Sequence, residues 1–346
     1  MLRHFRTQSR WAAFLGCLLL ILAPLAHAED GPLVVTVVAE DETEALGRGL
    51  ERALVRLAGL RSEPVRALAD ELLATRDEAG WTAALTRRQQ LDEGRYRLEF
   101  DRLRLRRMLR DAEVPMVLGE RPALLVWAVY EQGGRRELLG DTVDGPGILD
   151  ALQALAAARQ MPLLFPLGDL QDRRAARPSD IIGGTTEPLV VAGQRYGSEG
   201  VVLLHVRANA TGAEARAIAA YDDREYRSSA SAAAPAEAAR ETVARVLDQL
   251  AADLARVAAA PEWVRLGFVG VADYAALERL RAGLTRLQAV EAARLYALAA
   301  DHVVLQVRTG LEPADLTGIL GGSGFVRADP PNASAGSEAD AWMRQR

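Results

Sequence analysis

Apolar and polar positions along the chain change period several times, and the changes divide it into three parts behind a leader-like start. Leu33 to Ala39 is β-branched and predicts a strand. After Asp41 and Thr43, which can cap a helix, Leu46, Leu50, Ala53, Leu54, Leu57 and Ala58 recur at helical spacing. A second helix is predicted from Pro64 to Ala84, with Val65, Leu68, Leu72 and Leu73 on one side. Tyr96, Leu98 and Phe100 alternate with charged residues as in a half-buried strand, and Leu105, Met108, Leu109 and Ala112 mark one face of a short helix. These elements define an N-terminal α+β domain over residues 32–115.

From Ala123 to Tyr130 the chain is apolar on both faces, which predicts a strand covered on two sides. Gly133-Gly134 signals a hairpin into a shorter strand through Leu139. A helix from Ile148 to Arg159, a strand from Pro162 to Leu167, a polar loop, a helix around Pro188 to Tyr196 and strands at Val201–Ala208, Glu214–Tyr221 and Arg224–Ser229 follow. Pro235 opens an alanine-rich helix expected to reach Ala260. Residues 121–260 therefore read as a central α/β domain with a mixed sheet. Residues 261–328 give the order βαββαβ of a ferredoxin-like unit, with Asp273 as a helix cap and Gly321-Gly322 as a stop. The tail 329–346, made of Pro, Asn, Ala, Ser and Gly with scattered charge, is expected to be disordered. The fold class is α+β or α/β: several mixed-sheet domains with helices packed on them.

Residues 1–28 read as an export signal. Arg3, Arg6 and Arg10 precede an apolar run from Trp11 to Leu22, too short to span a bilayer, and Ala26-His27-Ala28 has the small-x-small form of a cleavage site. An uncleaved anchor is the alternative, and Pro24 followed by that site argues against it. No later segment predicts a membrane span. Cleavage after Ala28 would remove three of the 42 basic residues and none of the 47 acidic ones, leaving a formal charge of −8. A mildly acidic, exported chain is a poor match to nucleic acid or an anionic lipid surface. It would also retain no cysteine and only His205 and His302 as histidines.

That inventory limits the chemistry. Each histidine lies in or beside a predicted strand without a second ligand at metal spacing, and zinc needs at least three. The chain has no nucleophile-elbow serine, and Ser323 follows a helix instead of a strand. Neither a phosphate loop nor a dinucleotide fingerprint is present, and no cofactor or metal is expected. The carboxylates remain. Asp169 and Asp172, with Asp180 beyond an arginine cluster, follow the strand ending at Leu167, where open α/β sheets gather ligands. Two aspartates three apart can serve as acid and base or hold a hard cation, with Arg195 and Tyr196 as further ligand-binding candidates. Equally, the aspartates can cap a turn and pair with Arg173, Arg174 or Arg177. Arg102, Arg104, Arg106, Arg107 and Arg110 form the densest basic run. Without interleaved aromatics they read as a solvated helix face. Every one of the 42 basic residues is arginine, so a single arginine carries little information.

Several stretches together resemble an exported proteobacterial family catalogued as domain of unknown function 2066. They are Leu54-Val55-Arg56-Leu57-Ala58-Gly59, Tyr96-Arg97-Leu98-Glu99-Phe100-Asp101, Arg121-Pro122-Ala123-Leu124-Leu125-Val126-Trp127, Met161 to Asp172, and Arg195-Tyr196-Gly197-Ser198-Glu199-Gly200-Val201-Val202-Leu203. The resemblance covers about Leu33 to Ala260. Where that pattern more often has alanine-aspartate before the last apolar strand, this chain has Gly197-Ser198-Glu199. The resemblance implies export and a broad architecture, and it brings no activity. The expectation is a periplasmic protein that binds or scaffolds an envelope protein partner. The alternative is a carboxylate-dependent enzyme, or a small-ligand or cation-binding protein, with its site in the loop after Leu167.

Overall fold

The computed structural model describes residues 32–75, 81–91, 94–140, 145–331 and 339–345, so the leader-like segment 1–28 lies outside the described residues. In the first segment, β1 (Leu33–Val38), β2 (Leu85–Gln90) and β3 (Arg95–Phe100) form an antiparallel sheet in the order β1-β3-β2. Tyr96, Leu98 and Phe100 turn inward as their alternation predicts. Helices α1 (Glu42–Ala58), α2 (Glu63–Thr75) and α3 (Arg102–Asp111) surround the sheet. The Asp41 carboxylate caps α1 by accepting from the Glu44 N–H at 2.8 Å, and Gly59 ends it in the left-handed conformation (φ 84°). Arg48, Arg52 and Arg56, one turn apart on α1, donate to the carbonyls of Val38, Thr36 and Val34. They satisfy the outer edge of β1, which would otherwise be open to pairing.

The expected helix over 64–84 is shorter: α2 stops at Thr75, residues 81–84 form a 3₁₀ turn, and 85–90 become β2. Strand β2 is an exposed edge rich in Arg and Gln. It has no inward face and therefore no period-two signal.

The middle segment contains β4 (Met116–Val117), β5 (Leu124–Gln132), β6 (Arg135–Leu138), α4 (Ile148–Arg159), β7 (Leu163–Leu164), α5 (Leu170–Ala175), α6 (Pro178–Gly183), α7 (Glu187–Gly193), β8 (Gly200–Asn209), β9 (Gly212–Tyr221), β10 (Arg224–Ala232), α8 (Pro235–Leu254) and β11 (Ala255–Arg256). Its six-stranded mixed sheet runs β10-β9-β8-β5-β6, with β7 also on β5, and β5 is parallel to β8 and β7. Both faces of β5 are buried, as its continuous apolar run requires. Leu124, Val126 and Ala128 join the main core, while Leu125, Trp127 and Val129 pack on a second cluster with Ile181 and Leu189. The polar loop of the sequence reading folds into α5 and α6. The strand expected over 162–167 shrinks to Leu163–Leu164. Helix α8 ends at Leu254, earlier than predicted, because Ala255 and Arg256 turn extended to pair with Val117 and Met116.

The C-terminal segment holds β12 (Glu262–Val269), α9 (Tyr274–Arg286), β13 (Ala292–Leu298), β14 (His302–Thr309), α10 (Pro313–Gly322) and β15 (Phe325–Arg327), the expected βαββαβ order. One feature was not foreseen. Residues 341–345, placed in a disordered tail, form β16 and enter the sheet, whose order is β13-β14-β12-β16-β15. Strand β16 lies parallel to β12 and antiparallel to β15, separating strands that a plain ferredoxin-like unit would pair. Asp340 fixes the entry by accepting from the Arg265 N–H at 2.7 Å. Gly267 admits the Trp342 ring, since a Cβ there would lie 2.4 Å from it. A composition-based reading misses this strand because its pairing is entirely long-range. From Pro32 onward the chain packs as one compact unit, with one apolar core running through all three segments. Among the described residues no helix is long and apolar enough to cross a membrane.

Candidate functional site

Four of the five candidate residues meet. After β7 the chain turns through Gly168 (φ 72°) into α5, whose N-cap is Asp169, accepting from the Asp172 N–H at 2.9 Å. The 3₁₀ turn after α7 (Gln194–Tyr196) delivers Arg195 and Tyr196 to the same place. Arg195 donates to Asp169 Oδ2 at 2.7 Å and to Asp172 Oδ1 at 3.2 Å. The Tyr196 hydroxyl donates to Asp172 Oδ2 at 2.8 Å and accepts from the Leu167 N–H, while the Gly168 N–H also reaches Asp172. Asp172 is 1% exposed, with its oxygens engaged by these donors. The Arg195 hydrogen bond, helped by the Asp172 N–H, lowers the Asp169 pKa to about 2. Burial raises the Tyr196 phenol. A carboxylate pushed down is a weak base at neutral pH, and catalytic carboxylates are generally tuned the other way. Asp180 does not join the cluster; it lies in α6, where the Ser179 hydroxyl donates to it.

The other sequence candidates have structural surroundings. His205 on β8 faces Glu131 at 3.2 Å, and burial lowers its pKa. His302 at the start of β14 contacts Asp301 through Nδ1 and packs edge-on against Trp342. Ser323 follows α10 and donates to the Ile319 carbonyl. Among the described residues, no group of three or more His, Cys, Asp or Glu could hold a metal ion.

The basic run departs from its reading as a solvated helix face. A cavity of about 200 Å³ lies where α3 meets β4, the approach to β12 and the loops at 288–291 and 310–311, and Arg106, Arg107 and Arg110 form part of its wall. Leu103, Met116, Leu118 and Leu311 supply apolar lining, and Glu291 is its one carboxylate. Glu291 is engaged by Arg110 at 3.6 Å and by Arg308 at 3.4 Å. Gln288, also in the wall, has its amide between Arg121 and the Leu57 carbonyl, and with the amide turned over it would accept from the first and donate to the second. Arg121 is spread over backbone carbonyls of Arg56, Leu57 and Arg159. Burial and the neighbouring charges of Arg106, Arg56 and Arg102 lower its pKa to about 10. The Nε atoms of Arg56, Arg102 and Arg121 are buried without a hydrogen-bond partner. The i, i+4 spacing of Arg102, Arg106 and Arg110 put them on one helix face. That Arg121 and the 288–291 loop close over that face could not be read from the helix itself.

Comparison with protein-family models, with curated proteins and with solved structures found no match to this chain.

Proposed function

We propose that this chain is an exported protein of the bacterial envelope, working in the periplasm, that binds a partner without transforming it. The observation that carries this reading is the division of labour between its two polar regions. The aspartates after β7 are engaged in tying α5 to the turn at Arg195 and Tyr196. The cavity offers arginine and aliphatic surface, with its one carboxylate held by two arginines. Charge and shape are what binding needs; a general base or nucleophile is what chemistry needs. The three-part pattern of residues 1–28, and the short motifs shared with the exported family named above, support the location.

The test is affinity capture of the tagged mature chain from a periplasmic extract, alongside Asp169→Asn, which keeps a capping acceptor and removes the charge. The same partner should be recovered with both proteins. Failure to recover any partner would count against the reading. Loss of the partner in a variant that melts like the parent would move the site back to the loop after Leu167.

A further inference from the structure

We propose that the open face of the C-terminal sheet, at its β13 edge, binds an extended, acidic segment of a partner protein, which adds to the sheet beside β13. This rests on the reading that the chain binds a partner, and it gives that partner a surface and a chemistry.

The two faces of this sheet differ. Leu266, Phe268, Leu305 and Val307 join the core that Leu280 of α9 and Leu316 of α10 also enter. On the opposite face Trp263 and Tyr296 are 39% and 46% exposed. The Arg294 guanidinium lies 4.0 Å from the Trp263 ring centroid, and that of Arg265 lies 4.3 Å from the Tyr296 centroid. Between them on β14 is Gln306, opposite both arginines in register, which accepts from Arg294 Nε at 2.9 Å. Stacking holds each guanidinium against a ring and leaves N–H groups at its rim for a carboxylate. Among the described residues neither of these two arginines forms an ion pair. Glu291 is held by Arg308 and Arg110, and Asp340 accepts from the Arg265 backbone N–H. The middle sheet is arranged differently: Arg207 and Arg216 pair with Glu214, Arg224 with Asp253 and Arg227 with Glu225. In a chain with 47 acidic residues against 42 basic ones, the two stacked arginines are left for an acid from outside.

The edge supplies the rest of the fit. Strand β13 ends the sheet and pairs with β14 alone among the described strands. A bulge between Leu295 and Ala297 sets Tyr296 on the arginine face, while Leu295 and Leu298, opposite Leu305 and Val303, are exposed on the other. A strand added here would meet arginine and tyrosine on one side and leucine on the other, so alternating acidic and apolar residues match it. Trp, Tyr and Arg are also the residues that most often dominate protein–protein binding energy. Single-stranded nucleic acid is a poorer match, because base stacking needs bare ring faces and these carry guanidinium groups on a chain of net charge −5.

The experiment is fluorescence anisotropy of labelled peptides titrated with the mature chain. A peptide of alternating glutamate and valine is compared with its glutamine and lysine counterparts and with a thymidine oligonucleotide. The glutamate peptide should bind about tenfold more tightly than the glutamine one, and should lose affinity as salt is raised. Arg265→Met and Arg294→Met should each weaken it about threefold, while Arg216→Met, whose guanidinium pairs with Glu214 on β9, leaves it unchanged. Arg265→Glu combined with Arg294→Glu should transfer the preference to the lysine peptide. Melting curves establish that the variants are folded. Equal binding of the glutamate and glutamine peptides, or no transfer of preference in the double variant, would overturn the charge assignment. An oligonucleotide bound more tightly than the glutamate peptide would replace the acidic segment with nucleic acid. No binding of the glutamate peptide up to about 1 mM would overturn the surface altogether. Capture of the same periplasmic partner by the parent and by the double variant would also overturn the surface, and would leave the binding reading standing. Firm binding of the glutamate peptide with no partner captured would support the surface and count against that reading.

Discussion

Around Tyr196 two aspartates and an arginine pair within hydrogen-bonding reach, whereas the charges that lower the Arg121 pKa are, among the described residues, all arginines. Both clusters are assembled from separate stretches of chain and both are partly buried. The first is closed: two aspartates, one arginine, one phenol and three backbone N–H groups satisfy one another. The second is not closed in this way: the Nε atoms of Arg56, Arg102 and Arg121 are buried without a hydrogen-bond partner. A closed network acts as a fastener, because removing any member leaves a buried group without its partner. A cluster that leaves buried donors unmade is a poor fastener, since each unmade donor costs stability instead of adding to it. Opposite responses to mutation follow.

The largest effect should come from Arg195→Met. It leaves Asp172, 1% exposed, without a cation, and breaking a buried pair in this way costs about 3 kcal/mol. Denaturant unfolding should show a clear fall in midpoint at unchanged slope. Asp172→Asn should cost less, about 2 kcal/mol, because the amide keeps one acceptor for Tyr196 and Gly168 but loses the charge that faces Arg195. If either variant were as stable as the parent, the cluster would not be a fastener and the contrast would lose its first half.

In the arginine cluster the sign should reverse. Arg102 occupies the first turn of α3, where the helix dipole already disfavours a cation, and its Nε is buried and unsatisfied. Arg102→Met removes a like charge and an orphan donor together. It should raise stability by about 0.5 kcal/mol, read from the same unfolding curves. A loss of stability instead would mark Arg102 as structural.

How much of this was legible beforehand follows from the range of the signals. Helices α1, α3, α4 and α9 and the long strands of the middle sheet are local patterns, and the chain displays them openly. Asp169 and Asp172 were reachable because ligands of open α/β sheets gather at the carboxyl ends of strands, a rule that does not reach Arg195 and Tyr196 in the turn before β8. Their mutual pairing was not, since Arg195 lies 26 residues beyond Asp169. Strands β4, β11 and β16 exist only through partners far along the chain, and β2 is too polar to show a face. The arginine cluster was obscured for a different reason. Where arginine is the only cation, its local density says little, and only packing separates Arg106 in a cavity wall from Arg104 in solvent.

The smallest effect concerns acid, and it separates the two members of the aspartate pair. Asp169 is more exposed than Asp172, and its folded pKa of about 2 lies below the ordinary 3.8 because of Arg195. A carboxyl lowered on folding contributes stability that is fully present above its unfolded pKa and is lost as pH falls through the folded value. Its share should therefore fade between pH 3.8 and about 2. Asp169→Asn keeps the cap and has no proton to gain, so the difference in melting temperature between parent and variant should be constant above about pH 5 and shrink below pH 4. Solvent screening at an exposed carboxylate keeps this contribution small. A difference that stays constant down to pH 2 would mean that Arg195 binds Asp172 alone, leaving Asp169 a cap and nothing more.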